Sequence, residues 1–506
     1  MNPISEIDDA SATEAGTEEG GRSGLRGGVA SGVRWGTLDR TVQTVLRLGT
    51  TVLLARLVAP EDFGLLAIAL VVVNLAALIS GLGLGPALVQ RKDLRPEHVG
   101  VAFTLSAGFG VVLATMTALS AFPAAAFFDQ PALRSVLPVL AVIFLFKGVE
   151  LTPNDMLVRK MRFRGYYITS TIAVTVASAV GVILALAGWG IWALVSLSLV
   201  EAALASILAW VVSIRAGVWS PSVSMDRAAL RDLLPYSSYV TVSLLVGYGQ
   251  TNADNLLIGK MLGPRALGYY SLAYRAFLLP LQRFGEVVSD SVFPALSAVK
   301  DDLPRLRAGF LRSNQYVALV FFPLTVGMAV TAPQAIPVAF GPQWIPAVHP
   351  LQVLALTGPL ISMSRLKGPL LIAIGRPNWD FWLNTFSVAL FVPAFLVGVQ
   401  HGILGVAISY ALASAIEAPV VVFVLSRAIR TRPGAVVRPL IPIALATAVM
   451  AAGAAGTGAL LEGSVTQPLQ LVAMVITGAA LYVLSLRVLA RELLAGMVRD
   501  LLRRGQ

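Results

Sequence analysis

The sequence predicts an all-α polytopic membrane protein of about fourteen transmembrane helices, two parallel six-helix lobes followed by two extra C-terminal helices. Composition, the placement of positive charge and an internal repeat predict it. Of 506 residues, 56% are hydrophobic and 13% charged, against about 25% charged in a soluble domain. Apolar stretches recur from Trp35 to Leu489, and no stretch between them is long enough for a folded soluble domain. At about 20 residues per crossing, the length accommodates fourteen spans with short loops.

Hydropathy and turn residues place the helices near 35–58, 62–89, 98–122, 132–156, 165–187, 190–214, 232–259, 267–298, 310–331, 348–373, 378–398, 402–426, 437–460 and 468–489. Many hinges carry Pro or Gly, as at Ala59-Pro60, Gly188-Trp189-Gly190, Gly263-Pro264 and Gly341-Pro342. One set of alternate loops holds nineteen Lys and Arg, from Arg91 and Lys92 through Arg159, Arg215 and Lys300 to Arg438. The other holds Arg56, Arg134, Lys260 and Arg265. The positive-inside rule makes the first set cytoplasmic and puts both termini inside. Residues 1–33, Gly/Ser/Thr-rich and acidic before turning basic, are expected to be a disordered cytoplasmic tail and not a signal peptide. Residues 490–506 are expected to be an amphipathic tail on the inner surface.

The repeat sets the architecture. Ala55-Arg56-Leu57-Val58-Ala59-Pro60 through Gly64 matches Gly259-Lys260-Met261-Leu262-Gly263-Pro264 through Gly268, at an offset of 204. Pro86-Ala87-Leu88 recurs as Pro294-Ala295-Leu296, and Gly190-Ile191 as Gly402-Ile403. Helices 1–6 (34–216) and 7–12 (232–430) are therefore two copies in one orientation, joined by a cytoplasmic linker at 217–231, and 431–489 is an addition. Parallel repeats of this kind suit alternating access.

A charge at the bilayer centre costs about 2.5–3.5 kcal/mol on insertion scales, so charges inside spans are expected to face a cavity. Helix 1 carries Asp39, Arg40, Gln43 and Arg47, and helix 8 carries Arg275, Gln282, Arg283, Glu286 and Asp290. Each set falls within about 100° of the helix circumference. Helix 4 adds Lys147 and Glu150, helix 7 adds Asp254 with Asn252 and Asn255, and helix 10 adds Arg365 and Lys367. The surplus of Arg suits an anionic ligand, because a guanidinium fork holds phosphate oxygens bidentately. Arg40, Gln43, Arg47, Lys147, Arg275, Gln282, Arg283, Arg365 and Lys367 are the substrate-binding candidates. Asp39, Asp254, Glu286 and Asp290 are the ion-coupling candidates. Structural roles compete: Arg56, Lys260 and Arg265 suit interface anchors, and Glu61-Asp62 suits a helix start. Lys147 with Glu150, and Arg283 with Glu286, stand at i,i+3 and can neutralise one another. Tyr166, Tyr167, Trp189, Trp192, Trp219 and Trp344 fit an aromatic belt.

Several chemistries are excluded. Without cysteine there is no disulfide or thiolate metal site. His98, His349 and His401 fall in separate segments, so no metal centre is expected, and no cofactor. No Lys precedes Ser or Thr, so there is no Walker A loop and no catalytic ATPase site. The net charge of +11 reflects membrane orientation, not nucleic-acid binding.

The segment Leu54-Ala55-Arg56-Leu57-Val58-Ala59-Pro60-Glu61-Asp62-Phe63-Gly64-Leu65-Leu66, with Gly81-Leu82-Gly83-Leu84-Gly85-Pro86-Ala87-Leu88-Val89-Gln90-Arg91-Lys92, resembles the amino-terminal signature of polysaccharide transporters. These are the Wzx-type oligosaccharide flippases, here the colanic-acid-exporter-like branch. Asp254-Asn255-Leu256-Leu257-Ile258-Gly259-Lys260 through Tyr270 resembles their second-lobe signature. The resemblance implies the V-shaped fold of the multidrug/oligosaccharidyl-lipid/polysaccharide exporter superfamily in a bacterial cytoplasmic membrane. It implies a non-enzymatic flippase that moves an undecaprenyl-pyrophosphate-linked oligosaccharide to the outer leaflet, with membrane lipids and polysaccharide polymerase or assembly proteins as partners. A lipid II flippase and a drug/cation antiporter are the alternatives, the latter requiring an acid-dominated lumen. A membrane glycosyltransferase, polymerase or ligase would carry a sizeable outer loop, which the chain lacks.

Overall fold

The structure, a computed structural model, describes residues 36, 39–80, 88, 93–226 and 252–491, with backbone alone at 79–80, 280, 283–291 and 295. Every regular element among them is helical. The expected tail 1–33, most of the tail 490–506, and residues 227–251 of the linker and seventh span lie outside the described residues.

Among the described residues, nine helical segments are long and apolar enough to cross a membrane, and the bent pair Pro342–Leu356 and Gly358–Ala373 makes a tenth. The expected fourteen are not all found in this set: the seventh, 232–259, lies mostly outside the described residues, and two physical reasons account for the others. The charge-bearing helices 39–57 and Gly263–Ala298 are not apolar enough to join it. Pro377–Ala428 counts once although it has 52 residues, about 78 Å of helix at 1.5 Å per residue. It folds back at a 3₁₀ turn, Val399–His401, and at Gly402, whose φ is 75°. Its two arms, Pro377–Gly398 and Gly402–Ala428, pack side by side. Less than half of each spanning window is buried within the protein. Apolar side chains such as Met116, Ile183, Leu186 and Val488 point outward, as a lipid solvent allows and water does not.

By its contacts the chain forms two compact units, Met1–Val58 with Val72–Leu245, and Ala59–Val71 with Val246–Gln506. In the first unit, helix Leu133–Arg159 packs on both Pro96–Leu119 and Ile191–Arg215, and the latter pairs with Phe163–Leu186. Leu133–Arg159 and Pro96–Leu119 touch backbone to backbone: a Cβ on Gly110 would lie 2.6 Å from the Phe144 carbonyl oxygen, and one on Gly148 2.7 Å from that of Ser106. Trp219, expected in an aromatic belt, is instead buried against Phe103 and Trp210, because the chain after Arg215 folds back onto the bundle.

In the second unit, helix Leu303–Phe340 is the axis on which Val348–Leu356, Ile441–Leu460 and Gln467–Leu489 pack. Leu319 and Phe322 meet Ile443 and Leu486 in its core. The expected helix at 348–373 is broken into Val348–Leu356, Gly358–Ser364 and Lys367–Ala373. Pro359 lies in the first turn of one piece and Pro369 in that of another, where the missing N–H is tolerated but the helix before it cannot continue.

The two copies of the repeated motif meet in this unit. A Cβ on Gly64 would lie 1.6 Å from the Pro264 carbonyl oxygen, and one on Gly268 1.9 Å from the Pro60 carbonyl oxygen. The repeat thus builds a reciprocal close approach in which each Gly faces the other copy's Pro. Phe63 and Tyr269 flank it and close on Trp344 edge-on, at centroid distances of 5.3 and 6.0 Å. Trp344 is fully buried there, not in the expected belt.

Three prolines inside spans free a carbonyl four residues earlier, and a neighbouring helix supplies a donor each time. Pro153 frees Val149, whose oxygen accepts from Trp210 Nε1 at 2.8 Å. Pro323 frees Leu319, which accepts from Tyr482 Oη at 2.7 Å. Pro333 frees Ala329, which accepts from Gln352 Nε2 at 3.1 Å. In a bilayer no water replaces the lost bond, so these donors satisfy groups that would otherwise be bare.

Candidate functional site

Polar and charged side chains collect inside each unit, in helices otherwise apolar. In the first unit, helix 39–57 begins with buried Asp39. Its Oδ1 accepts from Gln43 Nε2 at 2.8 Å and from the Thr171 hydroxyl, and Gln43 Nε2 also donates to Ser170 Oγ at 2.8 Å. The spacing of 39, 43 and 47 puts these groups on one face. One turn on, Arg47 forms a fork on Glu201, with Nη2 to Oε1 at 2.7 Å and Nη1 to Oε2 at 3.2 Å. Such bidentate pairs fix orientation as well as charge. Arg40 is exposed on the same helix.

Lys147 belongs to a second group. The face of helix Leu133–Arg159 that carries Lys147, Glu150, Asn154 and Asp155 lines a cavity of about 300 Å³, with Ser106 and Tyr166 on its other walls. Asn154 Nδ2 donates to Glu150 Oε1 at 2.7 Å. Oδ2 of Asp155 is buried without a hydrogen-bond partner. Tyr166 stands within electrostatic reach of Asp39, Glu150 and Asp155, which connects the two groups. Pro153 lies beside this face, and the Trp210 indole that caps its freed carbonyl pins the helix there.

In the second unit, Asp254 is 3% exposed. It accepts the Tyr270 hydroxyl at 2.9 Å and the Asn255 backbone N–H at 2.7 Å. Tyr270 stacks on Tyr274, which meets Tyr410 edge-on. Arg365, at the break between Gly358–Ser364 and Lys367–Ala373, lies within electrostatic reach of Tyr274 and Tyr410, and its Nε is buried without a partner. Lys367 Nζ is 3.7 Å from Glu417 Oε1, which also accepts the Ser387 hydroxyl. Arg275 and Gln282 are exposed on helix Gly263–Ala298. Arg283, Glu286 and Asp290 are on that helix, with side chains outside the described residues.

The structure therefore joins Asp39 to Gln43, and gives Arg47 and Lys367 acidic partners that were not anticipated. Glu201 and Glu417 carried a usable signal, each being the one acid in its apolar helix, Ile191–Arg215 and Gly402–Ala428. Asp155 carried a weaker one, as an acid following the pair Lys147 and Glu150. Ser170, Thr171 and Tyr410 carried none, since hydroxyls in spans are common. Among the described residues no group of His, Asp and Glu could hold a metal ion.

A family model described as "Polysaccharide biosynthesis protein" matches residues 53–349, more than half of the chain. The lipopolysaccharide biosynthesis protein WzxC of Escherichia coli is 25% identical, over 78% of this chain and 80% of its own. The teichuronic acid biosynthesis protein TuaB of Bacillus subtilis is 27% identical, over 80% and 84%. The succinoglycan biosynthesis transport protein ExoT of Rhizobium meliloti is 27% identical, over 73% and 74%. Among solved structures, the lipid II flippase MurJ in an inward closed conformation superposes with a TM-score of 0.72 at 16% identity, over 90% of this chain and 99% of that one. An inward-facing multidrug resistance MATE family transporter of the MOP superfamily gives 0.61 at 16% identity, over 77% and 96%. These two likenesses establish the fold.

Proposed function

The chain belongs to the polysaccharide biosynthesis protein family, and from that premise we propose that it flips a polyprenyl-pyrophosphate-linked oligosaccharide across the bacterial cytoplasmic membrane. It is a multi-pass membrane transporter and not an enzyme. The observation that carries the reading is the set of charged side chains that interrupt the otherwise apolar helical bundle of such a chain: Asp39, Arg47 with Glu201, Lys147, Asp254, Arg365, and Lys367 with Glu417. Intramembrane charges at this density mark a polar substrate path. Relatives aligned over most of their length are polysaccharide and glycan proteins, which favours this substrate class over the lipid II and drug-antiport alternatives.

In this reading the two repeat copies, 34–216 and 232–430, work by alternating access, with both termini cytoplasmic. Arg40 and Arg47 in the first unit, and Arg275, Arg283, Arg365 and Lys367 in the second, are the candidates for pyrophosphate contact. The Arg47–Glu201 and Lys367–Glu417 pairs keep two of these cations neutralised until the anionic headgroup replaces the carboxylate. Asp39 in the first unit, and Asp254, Glu286 and Asp290 in the second, are the candidates for cation coupling. Polymerase and assembly proteins receive the flipped unit.

The test is deletion of the gene, followed by analysis of surface polysaccharide and of lipid-linked intermediates in each leaflet. Loss of polymer with polyprenyl-linked repeat units held in the inner leaflet is the expected result. Normal polymer with raised sensitivity to cationic drugs would overturn the reading in favour of an antiporter.

A further inference from the structure

We propose that the cavity between helices Pro96–Leu119 and Leu133–Arg159 is a saccharide subsite that takes a neutral or amino-bearing sugar unit and rejects a uronic acid; the proposal rests on the flippase reading and names which part of the headgroup goes where. The cavity volume is about 300 Å³. That is at the small end of ligand pockets and equals about ten waters of liquid volume. It matches one sugar ring with its hydroxyls and far exceeds a bare ion.

The lining is mixed in a way that suits hydroxyls. Lys147, Tyr166 and Asn154 offer donors, while Glu150 and Asp155 offer acceptors. A sugar hydroxyl donates once and accepts twice, so it needs both kinds on the wall. A hard cation needs oxygens alone, and the Lys147 ammonium on the same wall opposes it.

Charge sets the selectivity. Lys147 stands three residues before Glu150 on the helix face that lines the cavity, the spacing at which opposite charges offset one another. Asp155 then has no cation of its own on this wall, and its Oδ2 has no donor. A buried acceptor left bare costs about 1–3 kcal/mol, which a ligand N–H or O–H relieves. A carboxylate or phosphate brought here would instead be the third acidic group on a wall that holds Glu150 and Asp155 against the one ammonium of Lys147. The pyrophosphate therefore binds elsewhere, and the sugar binds here.

The walls are preorganised. Gly110 and Gly148 bring the two helices into backbone contact beside the cavity, and Pro153 with its Trp210 cap sets the helix that bears Asn154 and Asp155. A shaped cavity loses little freedom when a ligand enters.

The test titrates the purified full-length protein in detergent with N-acetylglucosamine, glucose and glucuronate by calorimetry. N-acetylglucosamine and glucose are expected to bind, with glucuronate at least about tenfold weaker. Asp155→Asn, nearly isosteric, is expected to weaken N-acetylglucosamine by about ten- to a hundredfold at an unchanged melting temperature, and Tyr166→Phe is expected to weaken it by a smaller factor. Glucuronate binding as tightly as glucose, an unchanged affinity in Asp155→Asn, or no heat from any sugar would overturn the proposal. So would a response to sodium chloride alone, which would make the cavity a cation site. The leaflet assay on the deletion strain is independent of these titrations, so failure of the flippase reading and failure of the subsite register in different experiments.

Discussion

Adding a single methyl group at Gly64 or Gly268 probes the contact by which the repeated motif meets itself. The Cβ of Gly64→Ala would stand 1.6 Å from the Pro264 carbonyl oxygen, and that of Gly268→Ala 1.9 Å from the Pro60 carbonyl oxygen. Both obstacles are backbone, so no rotamer change relieves them, and the two helix starts must part by about 1.5 Å or more to reach ordinary contact. Overpacking of this kind costs about 1–3 kcal/mol. Parting the helices also loosens Trp344 from Phe63 and Tyr269, at about 0.5–1.5 kcal/mol per ring pair. Each variant is thus expected to lose about 2–6 kcal/mol, seen as a lower melting temperature in detergent and lower abundance in the membrane. The double variant is expected to lose less than the sum, because one separation accommodates both methyls. Gly49→Ala is the control: nothing lies within 4 Å of its added Cβ, and Ala favours the helix by up to about 1 kcal/mol. Melting temperatures of Gly64→Ala and Gly268→Ala equal to that of Gly49→Ala would refute the reciprocal contact, and strict additivity would refute its shared origin.

The remaining predictions concern single groups. Trp210→Phe and Tyr482→Phe leave the Val149 and Leu319 carbonyls bare beside Pro153 and Pro323, and each is expected to cost about 1–3 kcal/mol of thermal stability. If Pro153→Ala, which restores the helix's own donor, does not recover the Trp210→Phe loss, the capping account is wrong. Arg47→Ala is expected to abolish export at normal protein abundance, whereas Glu201→Gln, which loosens its fork, is expected to retain it; wild-type export in Arg47→Ala removes Arg47 from the substrate path. Arg365→Lys keeps the charge but not the fork, and is expected to lower export about tenfold or more. Full activity in that variant would mean that a point charge is sufficient there.

The helical character of the chain, most span positions, the repeated motif and the charged stripe of helix 39–57 were legible in sequence, because each is written at short range. Apolar runs must match the bilayer, a period of 3.6 places 39, 43 and 47 on one face, and a duplicated Pro-x-x-x-Gly is visible by its spacing. The break in 348–373 was visible only as two prolines, and Trp219 and Trp344 pack inside the protein because aromatic type reports amphipathicity, not whether a ring faces lipid or protein. Partnership is the part that tertiary structure decided. Arg47 lies 154 residues from Glu201, and no local rule relates them. The same holds for Pro323 and Tyr482, Gly64 and Pro264, and the two helices that enclose the cavity at Asp155. In a bilayer every polar group must find a partner inside the protein, so sequence announces the need wherever a charge or a proline interrupts a span, and only packing decides which group meets it.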